Sequence, residues 1–197
     1  VTTVTKPVET PPASLLDEAL RALEPAFRLD HLVALSPERA LYQAWDRVLK
    51  RHVAIRVHLT PGTPGRAWFL RETETLAALD HPAIRHAYAA GDIGSFAYRT
   101  ANWIDGESLA DALRRGMRPI PQTMSMIRDL LSGLEHAHAR GIIMRRVVPS
   151  TLMLNTSGAG VITDLRYSNW CLPYLEPLPP DDASAAFMAP EVRAGEA

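Results

Sequence analysis

The feature that most constrains this chain is a change of hydrophobic period part-way along its 197 residues. Up to about residue 104 the apolar residues sit in short runs rich in β-branched and aromatic side chains. Beyond Asp105-Gly106 they recur at helical spacing. Three runs, "FRLDHLVAL", "ALYQAWDRV" and "HVAIRVHL", are separated by turn-sized or charged segments and predict an antiparallel meander. "TPGTPG" then breaks the chain, and "RAWFLRETETLAALDH" predicts a helix that buries Phe69, Leu76 and Leu79 while Glu72 sits among charged neighbours. Two further strands are expected in "AIRHAYAAGDIG" and "SFAYRTANWI", joined by a hairpin at Gly94-Ser95. After the switch come a short helix in "SLADALRRG" and a long one in "PQTMSMIRDLLSGLEHAHARG". The long one has a stripe of Ile127, Leu130, Leu131, Leu134 and Ala137, and Gly141 as its stop. The expected class is α+β: a strand-rich lobe carrying one helix, then a mostly helical lobe, with a ligand cleft at the join.

The flanks and the charge narrow the function. Residues 1–13 are polar and Pro/Thr-rich, a disordered leader without an apolar signal core. Residues 14–25 predict a short amphipathic helix on Leu15, Leu16, Ala19, Leu20 and Leu23, ending at Pro25. With 21 basic and 22 acidic side chains, a formal net charge of -1 excludes the broad basic field that holds nucleic acid. One cysteine, Cys171, excludes an intrachain disulfide framework and a multi-cysteine metal site, and suits a reducing cytoplasm. His136 and His138 are two apart on a helix and cannot share a ligand-bearing face. No stretch is long and apolar enough to span a membrane, so a soluble, cytoplasmic chain is expected.

Short motifs sit on these elements in a telling order: "VAIR", "FLRETETLAALDHPAI", "WIDGESLADAL", "LLSGLEHAHARGII", "GIIMRRVVPSTLML", "VITDLR" and "FMAPE". Together they resemble the eukaryotic-type protein kinases, in particular the bacterial Ser/Thr branch, over residues 27 to 193. The resemblance implies a protein-kinase-like two-lobe fold. Residues 26–104 would be an antiparallel N-lobe with one regulatory helix. Residues 105–197 would be a partial helical C-lobe ending after the Ala-Pro-Glu motif, truncated relative to the family.

Kinase chemistry is positioning and electrostatics, so each part can be checked at the position where the resemblance puts it. Ala34, Ser36 and Arg39 stand where three glycines would let backbone amides close on phosphates, and a Cβ at each hinders that approach. Arg56 replaces the strand lysine, with Glu72 as its helix partner. Met144, Arg145 and Arg146 fill the His-Arg-Asp positions, which puts a permanent cation where a carboxylate should accept the substrate proton. Val148 replaces the loop lysine and Thr151 the metal-binding asparagine. Asp164 is the one surviving metal ligand, followed by Leu165 and Arg166 in place of Phe-Gly. Ala54, Ala101 at the gatekeeper position, Trp103 at the hinge and Met153 on the floor would line a vestigial nucleotide slot.

The function implied is a pseudokinase: a protein-binding, regulatory or scaffolding module without ordinary phosphoryl transfer. Two alternatives stay open, a nucleotide-binding degenerate kinase with atypical transfer, and a structural subunit of a larger assembly. No cofactor is required; ATP or ADP is the candidate ligand, and one carboxylate makes a poor Mg²⁺ site. The partial C-lobe implies that another protein or a symmetry mate covers the long helix. Asp181 and Asp182 either pair with Arg145 or Arg146 in place of a phosphate or form a solvated turn. The apolar cluster Trp170, Leu172, Tyr174 and Leu175 is either a docking surface or a filler of the cleft.

Overall fold

A computed structural model describes residues 13–36, 38–59, 64–93, 95–116, 118–165, 168–169 and 186–193. The expectations for the leader up to residue 12, Gly94, Arg166, Trp170, Cys171, Leu172, Tyr174, Leu175, Asp181 and Asp182 lie outside these residues, as does most of "TPGTPG"; Ala13, expected in the leader, begins the first helix. Two compact units form. One holds the chain to Leu70 with Ala87–Trp103; the other holds Arg71–His86 and the chain from Ile104.

The first unit contains helix α1 (Ala13–Leu23), strands β1 (Phe27–Ser36), β2 (Arg39–Asp46) and β3 (Arg51–His58), the start of helix α2 (Pro64–Ala77), and strands β4 (Ala87–Ile93) and β5 (Phe96–Asn102). The strands form one antiparallel sheet in the order β1-β2-β3-β5-β4, which contains the expected meander and hairpin and joins them through β3 and β5. Strand β2 shows why: its side chains alternate between half-buried and buried along its whole length. One face carries Ala40, Tyr42, Ala44, Val53, Ile55, Val57 and Phe96, and packs with Ala19 and Leu23 of α1. The amphipathic helix at 14–25 is therefore a cover for this sheet. Edge strand β1 is mostly exposed and carries two register irregularities, at Leu29/His31 and Leu32/Ala34.

The second unit contains β6 (Gly106–Ser108), α3 (Leu109–Arg115), α4 (Ile120–His138), a 3₁₀ turn (Pro149–Thr151), β7 (Leu152–Asn155), β8 (Gly160–Ile162) and α5 (Pro190–Arg193). It is less purely helical than its period suggested. Strands β6, β7 and β8 form a small antiparallel sheet, each too short to display a period of its own. Gly160 of β8 lies so close to α4 that a Cβ there would come within 2.8 Å of Leu130 Cγ. Gly141 (φ 75) closes α4 as expected: its N–H donates to His138 O at 2.9 Å and that of Ile142 to Ala137 O at 3.1 Å, the paired bonds of a left-handed helix stop.

One expectation, the stripe of α4, needs correction. The buried side of α4 is Met126, Leu130, Gly133 and Ala137, whereas Ile127 is 38% and Leu131 58% exposed, because apolar residues continue onto the opposite face with Ile120 and Met124. Glu72 is fully buried. Residues 71–86 go with the second unit, since Ile162 N–H donates to Ala83 O, Arg85 N–H donates to Ile162 O, and Ile84 bridges Ile162 in parallel. Among the described residues no helix is long and apolar enough to cross a membrane.

Candidate functional site

In the second unit the structure gathers the loop after α4, the 3₁₀ turn, β7 and the stretch after β8. Glu72, projected from α2, accepts the N–H of Leu165 at 2.9 Å, which ties it to the backbone directly after Asp164. The Thr163 N–H and Oγ1 both donate to Thr151 O, at 2.9 and 3.1 Å. Thr151 in turn sends its hydroxyl to Val148 O at 2.9 Å. Thr151, which the resemblance aligns with a metal-binding amide, thus uses its hydroxyl to close its own turn. Val148, Thr151, Asp164 and Arg146 are all buried. Met153 is half-buried, and its Sδ accepts from Arg85 Nη2 at 3.2 Å.

The catalytic-loop positions are held by backbone. Met144 bridges Ser168 and Arg146 bridges Met188, while Asn169 clasps the loop through Gly141 O (3.0 Å), Ile143 O (2.9 Å) and Ile143 N–H (2.8 Å). Arg145 is half-buried. Asp164 brings one carboxylate to this stretch, and the hydroxyls of Thr151 and Thr163 both donate to backbone carbonyls. Among the described residues no group of three or more His, Cys, Asp or Glu could hold a metal. His136 faces His81, ring centroids 5.1 Å apart, rather than His138.

In the first unit the three glycine positions lie in a hairpin: Ala34 pairs with Leu41 and Ser36 with Arg39, and Ser36 Oγ donates to Arg39 O at 3.3 Å. Arg39 lies over the Trp68 ring, 5.3 Å from its centroid. Ala54 and Ala101 are direct cross-strand partners, each 2% exposed, so the structure does bring these slot residues together. Arg56 is half-buried opposite Arg99, and Trp103 is half-buried at the end of the unit.

Residue reading missed His58, Arg99 and Arg85, all at most 5% exposed. Their signal was a cation inside an apolar run, "AIRVHL", "FAYRTA" and "PAIRH". His58 stacks on Phe69 at 5.5 Å, and burial, with the charges of Arg39 and Arg66, pushes its imidazole down to about 4. The unfolded chain takes up this proton near 6.5 and the folded chain only near 4. Stability is therefore full above the upper value and falls as pH drops through that window, by about 1.4 kcal/mol per pH unit. Melting temperatures across that window should fall more steeply for the parent chain than for His58→Phe; equal slopes would remove His58 as the cause.

No family model matches the chain. A probable serine/threonine-protein kinase of Streptomyces coelicolor is 31% identical over 155 residues, which is 75% of this chain and 23% of that protein. The homologues of this chain are bacterial serine/threonine protein kinases. The serine/threonine-protein kinase pkn2 of Myxococcus xanthus is 33% identical over 117 residues, 57% of this chain and 14% of its own. PknJ of Mycobacterium tuberculosis is 26% identical over 137 residues, 68% and 23%. The chain spans less than a quarter of the length of these kinases. Among solved structures, the apo form of PpkA-294 superposes with a TM-score of 0.62 at 18% identity, over 72% of this chain and 59% of that one. The kinase-like α+β fold implied by the motif order is borne out.

Proposed function

We propose that this kinase homologue acts without ordinary phosphoryl transfer, as a pseudokinase whose surfaces bind or regulate other proteins. The observation that carries this reading is Arg146, a buried permanent cation at the position where the resemblance requires the catalytic aspartate. The relatives are named as kinases, which favours activity; against it stand the replaced groups. Loss of one catalytic group costs on the order of 10² to 10⁴ in rate, and here the aspartate, the strand lysine, the loop lysine and the asparagine are replaced together. A second reading, nucleotide binding without metal, rests on the opposed Ala54 and Ala101.

One experiment separates the two. The purified chain is melted with ATP and with ADP, each with and without Mg²⁺, and phosphate incorporation from labelled ATP is measured beside an Asp164→Asn variant. A ligand at about 100 times its Kd adds roughly 2.7 kcal/mol, several degrees for a chain of this size. The expected result is no shift and no incorporation. A shift without magnesium would establish the second reading, and incorporation that depends on Asp164 would overturn the pseudokinase. In the same proposal, a protein surface covers the exposed Ile120, Met124, Ile127 and Leu131 of α4.

A further inference from the structure

The second unit holds a cavity of about 390 Å³ that uses none of the catalytic or nucleotide-slot positions named above, lined by the later turns of α2 and the turn after α4. Its apolar wall is Ala78 with the buried Leu79 and Ile142. Arg71 and Glu74, 3.7 Å apart, and Arg140 add charge. Glu74 answers Arg71. Arg140 has no carboxylate partner among the described residues; its guanidinium donates to His136 O at 3.2 Å and lies 3.3 Å from the His136 ring nitrogen. The cavity therefore joins a patch of apolar surface to one uncompensated guanidinium, in a volume typical of small-molecule pockets.

Each part selects against a simpler ligand. A neutral apolar molecule would draw water away from Arg140 without replacing it. An inorganic anion would leave the exposed Ala78, at the rim of the buried Leu79 and Ile142, uncovered. We propose that this cavity binds a small organic anion with an apolar body, of the medium-chain carboxylate class, its head paired with Arg140 and its body on Ala78, Leu79 and Ile142. A planar guanidinium suits a carboxylate through two parallel hydrogen bonds. The proposal holds whether or not the chain transfers phosphate.

The probe is octanoate, titrated into the ¹⁵N-labelled chain and followed by amide shifts. Saturable shifts are expected in residues 71–79 and 140–142. Octyltrimethylammonium, which keeps the body and reverses the head, and inorganic phosphate, which has no body, should each bind at least about tenfold more weakly. Arg140→Gln should weaken octanoate by about tenfold. Ala78→Trp, placed at an exposed position, should fill the cavity and abolish binding without disturbing the core. Failure of the parent chain to bind octanoate overturns the proposal, as does equal binding of either control or unchanged octanoate affinity in either folded variant. If Arg140→Gln unfolds through loss of its His136 bond, Ala78→Trp carries the test.

Discussion

Phe69→Ala is expected to lower stability by about 4 kcal/mol, roughly 8–16 °C in melting temperature for a chain of this length. Phe69 is fully buried, stacks against His58 with centroids 5.5 Å apart, and has the Arg99 guanidinium over its ring at 5.3 Å. Truncation removes an aromatic side chain and also leaves two buried basic groups without the surface they pack on. Phe69→Leu, which refills most of the volume, should lose about 1.5 kcal/mol. Denaturant unfolding of the two variants beside the parent measures both; a loss below about 1 kcal/mol for Phe69→Ala would mean that the sheet face closes over the gap.

Glu72→Ala is the second large effect, expected at about 3 kcal/mol, the range for a hydrogen bond to a buried charged group. Glu72 is fully buried and accepts the Leu165 amide, so its removal strands a donor beside Asp164. Glu72→Gln keeps an oxygen that can accept this bond and should lose about half as much. Hydrogen exchange at the Leu165 amide gives the local readout: it should quicken in Glu72→Ala and stay slow in Glu72→Gln. Unchanged exchange in Glu72→Ala would show that the stretch after β8 is held by other contacts. The glutamate that the kinase resemblance expects to pair with a strand cation secures backbone in this chain.

Much of this architecture was legible because it rests on local pattern. The alternation of β2, the stripe of α1 and the glycine stop at Gly141 each come from residues within a few positions of one another. The α4 stripe held for Leu130 and Ala137 and failed for Ile127 and Leu131, which continue the apolar pattern on a face the buried side does not use, and a period cannot rank two apolar faces. The strands β6 to β8 were too short to show any period. The cavity beside Arg140 joins residues about sixty positions apart, which no window along the chain contains.

By itself, the amino-acid sequence determined the order of elements and the match to the kinase motifs, both of which depend on residue type and near neighbours. Only the tertiary structure decided what the side chains touch. It put Glu72 on the Leu165 amide, turned the Thr151 hydroxyl onto Val148, buried His58 against Phe69 and gave residues 71–86 to the second unit. The physical reason is that burial and hydrogen-bond satisfaction are set by distant segments meeting, so a side chain's partner is a property of the packed chain.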